Sequence, residues 1–262
     1  MSAPIRGKIN LVLQKAVPGT VLTMKWLVQQ GVSKDLAQKY VASGWLERIG
    51  RGAYVRTGDT VDWEGAVFSL QTQVGLNVHV AALSSLQLKG LAHFLPVGMG
   101  LESHIMLFSD GFERLPDWFL KKDWNVSVEH RCTNLFANAK RLLLSDVQCR
   151  GFSIQASSPE RGAFELLYKI QTNTDFDYAR TLFQGFTNFR PAAVQKLLDA
   201  CGSVRVKRIF LWMAKMYGHP WLKYVDLEDV SLGSGKRVVY QGGMLDREFL
   251  ITVPKKEESA DV

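Results

Sequence analysis

Residues 23–56 read TMKWLVQQGVSKDLAQKYVASGWLERIGRGAYVR, and this stretch decides the fold. Thr23 is placed to cap a short helix in which Met24, Leu27 and Val28 face inward, because its hydroxyl can accept from a first-turn N–H. Gly31 is suited to end that helix, since a C′ position asks for the left-handed backbone that glycine adopts freely. Ser33 can then cap a third helix over residues 34–43, with Leu36, Tyr40 and Val41 as its buried face and Gly44 as its stop. A short helix, a glycine-containing turn and a second helix are the parts of a helix-turn-helix. Beyond it, Trp45-Leu46-Glu47-Arg48-Ile49 and Ala53-Tyr54-Val55-Arg56 are strand-like runs on either side of Gly50-Arg51-Gly52, which predicts a hairpin with an arginine at its tip. Upstream, Ile9, Val12, Leu13, Ala16 and Val17 recur at helical spacing and Pro18-Gly19 breaks the pattern. Three helices followed by a hairpin is the winged-helix order.

Charge gives this module a candidate task. Residues 1–60 hold nine basic and three acidic residues, whereas the remaining 202 hold 23 and 22. A small basic module on a near-neutral body suits a polyanion, although a solubilising surface would look the same by charge alone. Lys34 and Gln38 lie on one row of the third helix, with Asp35 and Lys39 beside them. Glutamine can read adenine bidentately, and lysine binds guanine or phosphate. Candidate DNA contacts are therefore Thr23, Lys25, Ser33, Lys34, Gln38 and Lys39 on the helices, and Arg48, Arg51 and Arg56 on the hairpin. The alternative for the same pattern is a solvated helix face, or a winged helix used for protein contacts.

Downstream, Gly58-Asp59-Thr60 reads as a linker, and Thr60 can cap a helix with Trp63, Val67, Leu70 and Val74 as its stripe. A helix over residues 80–88 should end at Gly90. Strand-like pieces follow at residues 105–108, 126–128 and 152–154, with Leu115-Pro116-Asp117 as a turn between the first two. The pattern is helical from about 159 to 224, and Pro191 is well placed at a helix N1. Residues 237–240 and 249–253 suggest a closing strand pair around Gly242-Gly243. The expectation is an α+β protein: a winged helix-turn-helix over residues 1–57, a larger mixed α/β domain rich in helices over 61–254, and a disordered tail over 255–262.

Chemistry is harder to find. The five histidines and three cysteines are dispersed, with none of the spacings a metal site needs. Gly151-Phe152-Ser153-Ile154-Gln155 fails the nucleophile-elbow pattern at its last position, and Gly233-Ser234-Gly235-Lys236 lacks phosphate-loop spacing. Pro116-Asp117 followed by Glu129-His130-Arg131 is a faint version of a Mg²⁺-dependent nuclease arrangement, with arginine where lysine is wanted. The expectation is thus no catalytic residue, no metal and no cofactor, with a DNA-binding nuclease as the competing class. No run of about 18 apolar residues is present to span a membrane. The first residues lack the apolar stretch of a secretory signal, and three scattered cysteines suit a reducing compartment, so a cytoplasmic protein is expected.

The chain also resembles the AbiEi-type antitoxins of bacterial type IV, abortive-infection toxin–antitoxin systems. The residues that carry this are Gly44-Trp45-Leu46-Glu47-Arg48 through Gly50-Arg51-Gly52-Ala53-Tyr54, Ala82-Leu83-Ser84-Ser85-Leu86 with Gly90, Ser158-Pro159-Glu160-Arg161, and Ile251-Thr252-Val253-Pro254. The resemblance implies a repressor that binds operator DNA at inverted repeats. It also implies an antitoxin that counteracts a nucleotidyltransferase-like toxin, without necessarily touching it. It transfers no residues for the antitoxin activity.

Overall fold

A computed structural model describes residues 5–92 and 104–255. The chain forms two compact units. One comprises residues 1–80, 100–132 and 145–156; the other comprises 81–99, 133–144 and 157–262. Residues 1–57 lie wholly in the first unit, and residues 61–254 contribute to both. No helix among the described residues is long and apolar enough to cross a membrane.

The first unit opens with α1 (Ile5–Lys15), β1 (Leu22–Thr23), α2 (Met24–Gln29), α3 (Lys34–Ala42), β2 (Leu46–Gly50) and β3 (Ala53–Arg56). The strands form an antiparallel sheet in the order β1-β3-β2. This is the winged helix, and the local signals operate as read. The Thr23 hydroxyl accepts from Trp26 N–H and that of Ser33 from Leu36 N–H, while Gly31 and Gly44 follow α2 and α3 with φ of +77° and +74°. Ile9, Val12, Leu22, Leu27, Ala37, Tyr40, Leu46 and Tyr54 pack into its core. Val28, expected to face inward, is 57% exposed. A six-residue helix has room for one buried row, and Leu27 takes it.

The linker is followed by α4 (Trp63–Ser69), capped by Asp62 rather than by Thr60, and by a π-helical turn over Leu70–Val74. Val80, expected to begin a helix, instead ends β4 (Val78–Val80), and the helix starts two residues later at Ala82. The unit's second sheet uses β4, β5 (His104–Asp110), β6 (Ser127–Thr133), β7 (Leu144–Gln148) and β8 (Ser153–Ser157) in the order β6-β5-β4-β8-β7. β4 pairs antiparallel with β5 and parallel with β8. A one-turn helix, α6 (Asp117–Lys121), stands where a plain turn was expected.

The second unit begins with α5 (Ala82–Leu88) and is built on α7 (Pro159–Tyr168), α8 (Asn173–Gln184), α9 (Pro191–Ala200) and α10 (Val204–Met216). Pro191 occupies the first turn of α9, as expected. Phe164, Phe183, Phe189, Phe210 and Trp221 form a connected aromatic core. The closing pair is β9 (Met244–Asp246) with β10 (Ile251–Val253), not residues 237–240 with 249–253. Arg237 makes only an isolated parallel bridge to Ile251. The expected tail lies outside the described residues beyond Lys255.

Candidate nucleic-acid interface

The helix-turn-helix presents its polar row because its apolar row is spent on the core. On α3, Ala37 and Tyr40 are buried, while Lys34, Gln38 and Lys39 are exposed. Ser33 is exposed at the helix start with its hydroxyl committed to the cap. The hairpin carries three more exposed cations. Leu46 faces Arg56 and Arg48 faces Tyr54 across the ladder, so the alternation of a strand puts Arg48 and Arg56 on one face of the ribbon. Arg48 Nε donates to Gly50 O at 3.2 Å, and a register irregularity between Arg48 and Gly50 leads into the tip at Arg51. The tip is tied back to α2, because Met24 N–H donates to Gly52 O at 2.7 Å.

Two of the expected contacts sit differently. Lys25 is exposed, and its Nζ donates to Val74 O at 2.7 Å, so part of its capacity is engaged with the π-helical turn. Thr23 is only 4% exposed. Its hydroxyl caps α2, and its N–H donates to Gln73 Oε1 at 2.8 Å. Thr23 therefore builds the helix-turn-helix from inside and is not part of its exposed surface.

Sequence reading missed what holds this surface. Gln73 is buried in the π-helical turn, and its amide also donates through Nε2 to Val21 O at 2.8 Å. It thereby completes the outer edge of β1, which no strand covers among the described residues. Ser69 Oγ donates to the same Val21 carbonyl at 2.7 Å. Two residues before Gln73, Gln71 donates to Val78 O and Gln155 O and accepts from Gln155 N–H, bridging β4 and β8. The turn thus holds the winged helix with one glutamine and the second sheet with the other. Gly65 allows the close approach this requires, since a Cβ there would lie 1.9 Å from Gly19 O. A π turn has no sequence signature, whereas Asp117 and Lys121, in the stretch read above as a turn, have the i,i+4 spacing of a helical ion pair.

The carboxylates weighed for nuclease chemistry each face cations. Lys121 Nζ lies 2.9 Å from Asp117, and this pair, with smaller contributions from Arg114 and Arg51, holds the Asp117 carboxyl below the usual aspartate range. Glu129 pairs with Arg131 and lies 3.4 Å from His104 Nε2. His130 Nε2 is 2.8 Å from the buried Ser109 hydroxyl, and burial lowers its basicity. Among the described residues no group of three or more His, Cys, Asp or Glu is placed to hold a metal ion.

In the second unit, the residues behind the family resemblance converge on one buried network. Ser158 caps α7, and Pro159 occupies its first turn. Glu160 takes Arg190 Nε and Nη2 at 2.9 and 3.1 Å. Arg161 donates to Glu165 Oε1 at 2.8 Å and to the carbonyls of Lys140 and Leu142. Glu165 Oε2 in turn accepts from the Ser157 hydroxyl and from Ala82 N–H at the start of α5. Gly162 keeps α7 against α5, for a Cβ there would lie 2.6 Å from Ser85 Oγ. Charges this deep are tolerated because each has several partners.

A winged helix with an exposed basic row and hairpin, joined to a helix-rich α+β body, defines the class of a winged-helix regulator. Sequence comparison takes this further. The family described as "Transcriptional regulator, AbiEi antitoxin, Type IV TA system" matches residues 102–254, and its N-terminal-domain counterpart matches residues 5–97. The chain belongs to the AbiEi antitoxin family of transcriptional regulators. No curated protein matches it in sequence. Among solved structures, the RV2827C protein from Mycobacterium tuberculosis is similar in fold, with a TM-score of 0.54 at 16% identity over 95% of this chain and 92% of that one.

Proposed function

We propose that this protein represses its own operon by binding inverted repeats in the operator through residues 1–57. In the same proposal it counteracts a nucleotidyltransferase-like toxin through residues 61–254, in the bacterial cytoplasm and without a cofactor. The observation that carries the DNA-binding half is the coincidence of exposed Lys34, Gln38 and Lys39 on α3 with exposed Arg48, Arg51 and Arg56 on the adjoining hairpin. Membership of an antitoxin family supports the other half. In this reading Lys34, Lys39 and the hairpin arginines take phosphates, and Gln38 reads a base. Lys25 and Ser33 flank the helices at backbone distance, and Thr23 acts only by shaping α2.

The DNA half is tested by fluorescence anisotropy on a duplex from the chain's own upstream region. Binding should weaken steeply with salt, and Arg51→Ala or Lys34→Ala should each flatten the log–log salt slope by about 1. Gln38→Ala should cost about 1–3 kcal/mol on the operator and little on random DNA. Salt-insensitive binding would overturn the electrostatic account. The antitoxin half is tested by co-expression with the neighbouring toxin gene. Growth should be rescued by the wild type and equally by the Arg51→Ala and Lys34→Ala variants, because repression and neutralisation use different residues. Point substitutions suit this test better than truncation at residue 60, since Thr23, Val21 and Gly19 are bonded to or packed on residues 65–73.

A further inference from the structure

We propose that the wing is composite: Arg114 and Lys121, from the segment around α6, join Arg51 in one cationic cluster that takes the phosphate backbone beside the sequence read by α3. This rests on the DNA-binding reading above.

The geometry begins at Gly50. A Cβ there would stand 2.7 Å from Trp118 Cβ, so the absence of a side chain lets the end of β2 lie directly on α6. Arg51 follows Gly50 and Asp117 precedes Trp118, so this single contact brings the hairpin tip to the start of α6. Asp117 is then met by Lys121 at 2.9 Å, with Arg114 and Arg51 close enough to act on its carboxyl. Lys121 pairs with Asp117, and Arg114 and Arg51 act on the same carboxyl from farther off, so this exposed patch holds three cations against that one carboxylate. Glu113, next to Arg114 in sequence, accepts from Asn77 N–H and Nδ2 at 2.7 and 3.0 Å and keeps its charge, so three cations stand against two carboxylates and the patch stays positive.

The support is well packed. A five-residue helix has little stability of its own, and α6 is held by its aromatic residues instead. Trp118, Phe119 and Trp124 are buried with ring centroids 5.7–6.5 Å apart, and Trp124 Nε1 donates to Phe119 O at 2.8 Å. Lys122 lies over the Trp124 ring at 5.3 Å. A hairpin tip clamped this way loses less freedom when it meets DNA than a free wing would. Polyanionic DNA suits the cluster because it offers phosphates at regular spacing to cations from two separate segments. In the same cluster Asp117 is a brake, since its charge opposes every phosphate approach.

The test measures full-length protein by anisotropy over a range of KCl, on the upstream duplex and on a random duplex of equal length. Arg114→Ala/Lys121→Ala should weaken both duplexes alike and lower the salt slope by about 1–2, one for each phosphate that no longer meets a cation. Lys121→Arg should keep the wild-type slope. Asp117→Asn should bind both duplexes about two- to fivefold tighter at low salt, with the gain vanishing at high salt. A merely structural role for α6 predicts no variant that tightens. If wild type binds normally and the double variant and Asp117→Asn match it, the composite wing is refuted and the DNA-binding reading stands. Weaker binding by a normally melting Asp117→Asn refutes it too, as does a preference of the cluster for duplex RNA over DNA. A wild type that binds no DNA overturns both the composite wing and the reading beneath it.

Discussion

Gln73→Leu tests whether the winged helix is held in place by one side chain. Leucine fills nearly the same volume, so the cavity contribution is small and the missing hydrogen bonds dominate. Thr23 N–H loses its acceptor at 2.8 Å in a buried position, and an orphaned buried amide costs about 1–3 kcal/mol. Val21 O loses Gln73 Nε2 but keeps Ser69 Oγ at 2.7 Å, so it is not orphaned and adds little. The expected sum is about 2 kcal/mol, which in a chain of this size lowers the melting temperature by about 4–8 °C. The structure also predicts a coupling. Ser69→Ala alone leaves Val21 O with Gln73, but the double variant strips that carbonyl of both side-chain partners. The double should therefore cost about 1 kcal/mol more than the two singles combined. Far-UV circular dichroism with urea titration measures each leg of the cycle. Additive costs, or a Gln73→Leu midpoint equal to wild type, would show that the π-helical turn does not carry the winged helix as argued. Anisotropy on the same variant should show weaker DNA binding with an unchanged salt slope, because every cation that meets a phosphate is still present.

Other consequences follow from single side chains. Glu165→Ala leaves Arg161 buried without its carboxylate, which should cost about 3–5 kcal/mol by urea titration, and a cost under about 1 kcal/mol would contradict the network. Tyr40→Phe should leave stability unchanged or raise it by about 1 kcal/mol, because the Tyr40 hydroxyl is buried without a hydrogen-bond partner; a clear loss would mean that the hydroxyl is satisfied. Burial pushes the Glu160 carboxyl up, but the hydrogen bonds from Arg190, backbone amides and Ser158 together hold it below the usual glutamate range. A depressed folded value stabilises above the unfolded pKa of about 4.3 and is lost as pH falls through the folded one, so Glu160→Gln should flatten the acid limb of a melting-temperature profile. Plasmid and tRNA should stay intact with Mg²⁺ or Mn²⁺, and cleavage that disappears in a folded Asp117→Ala/Glu129→Ala variant would restore the nuclease reading.

The winged helix was legible from residues 9–56 because everything that defines it is local. Caps at Thr23 and Ser33, glycine stops at 31 and 44, and a glycine-bracketed hairpin all act within a few residues of themselves. The same holds for Pro191 at the start of α9 and for the motif at Ser158, where a cap and a first-turn proline announce a helix. Where short apolar runs had to be assigned without such punctuation, tertiary pairing decided. Val78–Val80 became a strand because β5 and β8 flank it, and the closing pair moved to Met244–Asp246 because Ile251–Val253 offers its ladder there. Exposure was likewise a tertiary matter: Thr23 is hidden because Gln73, fifty residues away, closes over it. The basic row on α3 could be read from spacing, whereas the clamp of α6 on the wing depends on Gly50 meeting Trp118. Helix periodicity and capping are properties of neighbouring residues, so one sequence displays them. A contact between positions 50 and 118 exists only once both segments have been folded onto the same core.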